Sequence, residues 1–346
     1  MNREFLNEML KTMSVSGHEE ELQKKVINEM KSYADEILSD ATGNVISVLN
    51  PQSDTKVLLC GHIDEIGFIV TSIQHDGSLK VTNAGGVRAM LYLGTQVQIK
   101  TKTGIINGVV ITNSSLTKRS DLSCTDLTID IGASSKEEAE KLVSVGDPAC
   151  AKTDVLPLLN DRLAARAMDD RIGAFIVTQA LVKAKEKGCT TGVYAATTVG
   201  EETSMRGAYW SSVKVKPTCA IAVDVTYTSD YSGVDNTTTG EICLGKGPVL
   251  CHSSIVSKKM NALLEKCAQN LNLPLQYEIA PGRTGTDADK VHFTNDGVPT
   301  ALVSIPLRYM HSSIETLDMK DVEQIIDLLA EFLCVFSKDI DLDPLS

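Results

Sequence analysis

The hydrophobic period changes twice along this chain, and that change constrains the fold more than any other feature. Between Glu19 and Ile37 the apolar residues Leu22, Val26, Ile27, Met30 and Ile37 recur at helical spacing, and Ser16-Gly17-His18-Glu19 has the pattern of a capping box opening that helix. Short strands are predicted over 44–49 and 57–60, the second too apolar to be half exposed. From about Gly67 to Pro157 the pattern is different. Short β-like runs over 68–73, 79–82, 95–100 and 127–131 are separated by turns such as Asp76-Gly77 and Gly85-Gly86. One helical pattern interrupts them over 135–142, where Ser135 and Glu138 are spaced to cap it, so this stretch reads as a small all-β module. After Arg166, helices over 172–187, 206–213, 257–271, 287–295 and 319–336 alternate with strands over 193–199, 219–225, 275–280 and 300–305. Gly188 is placed to end the first of those helices.

Alternation of this kind predicts an α/β sheet layered by helices. The simplest architecture is a layered α/β/α catalytic domain built from 1–66 and 160–346, with a small β-barrel-like domain, 67–159, inserted in it. With 346 residues and 42% hydrophobic content the chain is large enough for a sizeable core. Lys and Arg number 33 against 45 Asp and Glu, a net charge of −12, which argues against a nucleic-acid or anionic-membrane surface. No apolar run approaches the roughly 20 residues of a membrane helix. Arg3, Glu4, Glu8 and Lys11 make Met1 to Met13 unlike a signal peptide. Nine cysteines, an odd count without a Cys-x-x-Cys pair, predict reduced thiols in a cytoplasmic chain.

In α/β sheets, ligands collect beyond the carboxyl ends of the strands. Here those ends carry the polar residues. The strand over 57–60 runs into Gly61-His62-Ile63-Asp64-Glu65, and the one over 193–199 into Gly200-Glu201-Glu202. Asp224 closes the apolar run 219–223, and the strand over 300–305 leads to Tyr309-Met310-His311-Ser312. Met168-Asp169-Asp170-Arg171 stands at the start of a helix.

The physical reading is a two-metal site. Divalent ions such as zinc take imidazole nitrogen and carboxylate oxygen, and a metal pair needs a bridging carboxylate with terminal ligands on either side. His62, Asp169, Glu202, Asp224 and His311 supply that set. Asp64 is placed to orient His62, and Glu201, beside a ligand, to act as general base. Singly, each group has a plainer account: a strand-end hydrogen bond for His62-x-Asp64, a helix first turn for Glu201-Glu202 or Asp169-Asp170, a loop histidine for His311. Their joint placement on one sheet edge is the specific signal. His18, His75, His252 and His292 lack such placement, and Cys60 reads as a small core residue.

At these residues the sequence resembles the glutamyl-aminopeptidase, or tetrahedral aminopeptidase, family of co-catalytic dinuclear metallopeptidases, of the zinc-exopeptidase fold type. The similar segments are Gly61-His62-Ile63-Asp64-Glu65-Ile66-Gly67-Phe68, Ala167-Met168-Asp169-Asp170-Arg171-Ile172-Gly173, Gly200-Glu201-Glu202 and Ala222-Val223-Asp224-Val225. Further along are Gly245-Lys246-Gly247-Pro248, Gly285-Thr286-Asp287-Ala288, Gly297-Val298-Pro299-Thr300 and Arg308-Tyr309-Met310-His311-Ser312. The resemblance implies two zinc or cobalt ions bridged by Asp169, one completed by His62 and Asp224, the other by Glu202 and His311. Asp169 is taken as the bridge because the second position of the pair can be Asn in relatives. It also implies removal of N-terminal residues from peptides, and a β-rich insert mediating dimers that assemble into a dodecamer. The sequence departs from the family at 108–115, which lacks a Pro-Pro-His segment, and at Arg283 and Asp289, which stand around the pocket where glycine is common. There Arg283 would favour an acidic substrate side chain and Asp289 a basic one.

Two other classes compete. Some relatives carry the label endoglucanase, but a glycosidase needs two carboxylates about 5 Å or 6.5–9.5 Å apart across a sugar. Adjacent Glu201 and Glu202 do not easily flank one bond, and 4% aromatic content with a single Trp210 is thin for sugar stacking. The other is an inactive peptide-binding scaffold, against which the complete ligand set argues.

Overall fold

The computed structural model describes residues 1–235, 237 and 240–346. Its main sheet has eight strands. In spatial order they are Glu36–Ser39, Val45–Leu49, Gly192–Thr198, Lys56–His62, Cys219–Tyr227, Thr300–Leu307, Val249–Ser253 and Gln276–Ala280. Gly192–Thr198, Lys56–His62, Cys219–Tyr227 and Thr300–Leu307 run parallel, so their carboxyl ends lie along one edge.

The central strands read as unbroken apolar runs because both of their faces are covered. Val57, Leu59, Val193, Ala195, Ile221 and Val223 join one large core with side chains of helices Arg3–Lys11, Glu20–Met30, Met168–Glu186 and Met319–Val335. The alternate residues Leu58, Cys60, Tyr194, Ala196 and Ala220 join a second core with Ala208 and Val215 of helix Arg206–Val215. Period two along each strand thus produces the α/β/α layers. Each fully buried large apolar side chain contributes roughly 1.5–3 kcal/mol. The helix Met168–Glu186 lies so close to Lys56–His62 that a Cβ on Gly61 would collide with the backbone of Gly173. That approach sets the start of the helix against the end of the strand.

Between Lys56–His62 and Met168–Glu186 the chain forms a closed barrel. Its strands, in order around the barrel, are Gly67–Ile73, Leu79–Ala84, Thr128–Asp130, Gly104–Val110, Gln96–Thr101 and Pro148–Ala151. Phe68, Val70, Leu79, Val81, Val97, Ile99, Val110 and Ile129 fill its interior.

Several local expectations change. The capping box at Ser16 does not form: Glu19 is the N-cap of Glu20–Met30, its carboxylate accepts from the Gly17 N–H at 2.8 Å, and the Ser16 hydroxyl instead pairs with Thr203. The helix expected over 287–295 is a single turn, Ala288–Val291. Gly104–Val110, Pro148–Ala151 and Val249–Ser253 are strands without a marked sequence pattern; the first forms a hairpin with Gln96–Thr101, and the other two pair with strands distant in the chain. Leu156–Pro157, within the stretch expected to be inserted, pairs with Arg162–Ala165, which in turn pairs with Glu315–Asp318. The cap at Ser135 is present, its side chain accepting from the Glu138 N–H. Among the described residues no helix is long and apolar enough to cross a membrane.

Candidate active site

His62 is the last residue of Lys56–His62 and lies level with Thr198 on the neighbouring strand. Beyond Thr198 the chain turns through Gly200, at φ 66°, into the short helix Glu201–Ser204, which presents Glu201 and Glu202. Asp64 ties these two strand ends together. Its carboxylate accepts from the backbone N–H of Glu201 at 3.0 Å and of Glu202 at 3.3 Å, and lies 3.4 Å from His62 Nδ1. Asp224 sits within Cys219–Tyr227, and His311 follows Thr300–Leu307 by four residues.

Asp169 occupies the middle of this group. Its Oδ1 is 3.1 Å from His62 Nε2 and its Oδ2 is 3.2 Å from His311 Nε2, so one carboxylate stands between the two imidazoles. Glu201 Oε2 lies 3.8 Å from His62 Nε2, and Glu202 Oε2 lies 3.6 Å from His311 Nε2. Asp169 and Asp170 interrupt the first turn of their helix with non-helical backbone, and the peptide between them is cis. Asp170 is engaged by the backbone. Its oxygens accept from the backbone N–H of His62 at 3.1 Å and of Gly173 at 3.0 Å, which leaves Asp169 as the one facing both imidazoles. Donor atoms of His62, Asp169 and Glu202 fall within 4.8 Å of one another, as do those of His62, Asp170 and Asp224.

The cluster holds more negative charge than it can neutralise. Glu201 Oε1 and Glu202 Oε1 are buried without a hydrogen-bond partner among the described residues. Burial, with the nearby Asp224 carboxylate, pushes Glu201 up to about 10. Burial and Asp169 push Glu202 well above the usual range, and burial does the same for Asp224. Burial also opposes ionisation of Asp169, but the His311 and His62 rings outweigh it and hold this carboxyl below its ordinary range. Orphaned buried carboxylate oxygens beside two imidazoles are the donor set that divalent cations of the zinc type take, so the residues fit such ions.

The structure adds residues that the sequence did not single out for the site. Glu315, buried beneath it, accepts from the backbone N–H of Asp169 at 3.1 Å and of His311 at 2.9 Å, and burial together with Asp169 raises it to about 8. Its one sequence signal is its spacing, four residues after His311. Glu65, the residue after Asp64, pairs with Arg166 and, at 2.5 Å, with Arg171 in a buried ion-pair group. Gly86, from the barrel, abuts the His311 ring: a Cβ there would lie 2.6 Å from Nδ1.

The expected pocket residues are placed differently. Arg283 is exposed and does not line the cavity. The Asp289 carboxylate is taken up by its own loop, accepting from the Thr284 N–H and hydroxyl, both at 2.8 Å, and from the Gly285 N–H at 3.1 Å. Neither is among the residues that line the cavity. Away from the site, His252 stacks on Tyr277 and His292 lies against Phe293.

A cavity of about 500 Å³ opens on the cluster, lined by Asp169, Glu201, Glu202, Asp224 and His311 on one side. A sheet edge carrying these groups is the working face of an α/β/α hydrolase. More particularly, the chain belongs to the M42 glutamyl aminopeptidase family, whose match spans residues 43–328. It is 32% identical to the lysyl aminopeptidase of Pyrococcus furiosus, over 99% of both chains. Among solved structures it is similar to a TET aminopeptidase from Thaumarchaeota archaeon SCGC AB-539-E09, with a TM-score of 0.91 and 31% identity over 97% of each chain. It is also similar to the TET1 peptidase of Pyrococcus horikoshii, described as assembling into a tetrahedron or a large octahedral shell. That likeness has a TM-score of 0.86 and 31% identity, over 96% of this chain and 99% of the other.

Proposed function

We propose that this chain is a metal-dependent aminopeptidase that removes N-terminal residues from peptides. His62, Asp169, Glu202, Asp224 and His311 would hold a pair of divalent ions, zinc or cobalt, with Asp169 shared between them. The observation that carries this reading is the position of Asp169 between two imidazoles, beside carboxylate oxygens that have no other partner. When bound, such ions supply a Lewis acid for the scissile carbonyl and make water more acidic.

The rest falls to the chain's own groups. Glu201, at the cavity wall with Oε1 unpartnered, takes the proton of the attacking water and returns it to the leaving amine. Asp64 fixes the His62 ring through Nδ1 and the backbone of the Glu201-Glu202 turn through its two oxygens. The cavity receives the N-terminal residue while the rest of the peptide leaves through its open side.

The test is protein stripped by chelator, reloaded with zinc or cobalt and assayed on aminoacyl-p-nitroanilides. Turnover should disappear on stripping and return on reloading. Turnover that survives the chelator, with hydrolysis of cellulose, would instead favour a glycosidase. The cavity speaks against that alternative, since among the described residues Tyr227 is the one Phe, Trp or Tyr lining it and Trp210 is exposed on helix Arg206–Val215.

We further propose a homo-oligomer in which the barrel mediates dimers that build a dodecamer, in a cytoplasmic protein whose nine cysteines are all unpaired. Met90, Leu91, Ile105, Val109 and Val145 give the barrel an exposed apolar surface consistent with such contacts. Light scattering of the intact chain tests the assembly.

A further inference from the structure

Besides the imidazole–carboxylate cluster, the cavity is lined by Cys251, Ala280, Leu302, Met310 and Thr226, and with them stands one more carboxylate, Glu278. Glu278 belongs to Gln276–Ala280, the edge strand of the main sheet, and is level with Cys251 on the adjacent strand. Three strand spacings, about 14 Å, separate that edge from the strand bearing Asp224. Glu278 Oε1 accepts from the Ser304 hydroxyl at 2.6 Å, and its other close neighbours, Thr226 and Cys251, are neutral as well. Burial pushes the Glu278 carboxyl above its ordinary range, with no cation opposing it. Among the described residues, neither Lys nor Arg lines the cavity.

We propose that Glu278 selects peptides with a basic N-terminal residue, by receiving the ammonium or guanidinium head of the substrate's first side chain. The assignment rests on the aminopeptidase reading above and concerns the same cavity. A carboxylate without a cation, set among apolar walls, is complementary to a side chain with an aliphatic stem and a charged head. Lysine and arginine have that form, with the stem lying against Leu302 and Ala280 and the head reaching Glu278. An acidic first residue meets repulsion there. An apolar one leaves the carboxylate desolvated and unpaired.

The experiment measures kcat/KM of zinc- or cobalt-loaded protein for lysyl-, leucyl- and glutamyl-p-nitroanilide, in the wild type and in Glu278→Gln. The amide is isosteric and keeps an acceptor for Ser304. The wild type should favour the lysyl substrate, and the lysyl-to-leucyl ratio should fall roughly 10- to 100-fold in Glu278→Gln. Free L-lysine should inhibit leucyl turnover more strongly than L-norleucine in the wild type and lose that advantage in the variant. Glu278→Lys should move the preference toward the glutamyl substrate. An unchanged ratio in Glu278→Gln, or a wild type that prefers the glutamyl substrate, overturns the assignment while the aminopeptidase reading stands. Absence of turnover on all three substrates with both metals overturns that reading, and this proposal with it.

Discussion

His62 ends a central strand with its side chain 1% exposed, whereas His311 lies in a loop, at φ 62°, with its side chain 24% exposed. Around His62 everything comes from the sheet and the helix packed on it. Parallel neighbours hold its strand, Asp64 faces one ring nitrogen and Asp169 the other, and Asp170 accepts its backbone N–H. Around His311 the supports come from four separate stretches. Glu315 accepts its N–H, Gly86 of the barrel backs its ring, and Asp169 and Glu202 face its Nε2. One half of the site is therefore a property of the sheet. The other depends on where the barrel sits.

The largest effect expected is on Glu201, which serves both halves. Glu201→Gln should lower kcat on aminoacyl-p-nitroanilides by about 10²–10⁴-fold, with metal content by elemental analysis and melting temperature retained. A variant that turns over at the wild-type rate would place the base elsewhere. The two imidazoles should then separate. His62→Ala leaves buried Asp64 without its imidazole and Asp169 with one of its two, a loss on the order of 3–5 kcal/mol in denaturant unfolding, together with loss of bound metal. His311→Ala should lower metal content as well, yet cost only about 1 kcal/mol, because its site is already partly open to water. Equal losses of stability would erase the distinction between a sheet-built and a loop-built half.

The same distinction decides what could be read from the sequence. His62, Glu201, Glu202 and Asp224 stand at the ends of strongly apolar runs, so their convergence was legible from period and strand direction alone. The choice between Asp169 and Asp170 was not, because it depends on a local backbone that turns one carboxylate outward and the other toward the His62 and Gly173 N–H groups. Glu278 escaped notice because Gln276–Ala280 is an edge strand whose position depends on Val249–Ser253, itself without a sequence signal. Arg283 and Asp289 were misplaced for a related reason. Proximity in sequence to the pocket loop does not fix side-chain direction, and Asp289 turns back to bond Thr284 and Gly285. The barrel was legible as a β-rich stretch, but its closure relies on Gly104–Val110 pairing with Thr128–Asp130 and on Pro148–Ala151 pairing with Gln96–Thr101 and Gly67–Ile73, segments that are not neighbours in the chain.

Glu65 tests the sheet-built half. Burial alone would raise its carboxyl, but the Arg166 and Arg171 guanidiniums hold it below the usual range. Its folded value lies below its unfolded one, so the stabilisation is present above the unfolded carboxyl value, about 4.3, and is lost as pH falls through the folded value. Glu65→Gln should therefore lower stability by roughly 3 kcal/mol at pH 7 by leaving two buried cations unpaired. The gap between variant and wild type should narrow in acid. A gap independent of pH would mean that packing, and not charge, holds this group.

Gly86→Ala makes the smallest change and addresses the loop-built half alone. Gly86 is not among the glycines at positive φ, so alanine introduces no backbone strain, and its effect comes from the added methyl. That methyl would lie 2.6 Å from His311 Nδ1 and 2.7 Å from Cε1, a distance the ring can relieve only by moving. Because the ring borders an open cavity, relief is available, and stability should change by less than about 1 kcal/mol. Activity has no such tolerance, since an imidazole displaced by a fraction of an ångström misaligns the groups around Asp169; kcat/KM should fall by roughly 10-fold or more. His62 and its partners are untouched by the substitution, so metal binding should weaken without vanishing. If kcat/KM and metal content both stay at wild-type values, the barrel does not set the position of His311, and the two halves of the site are alike after all.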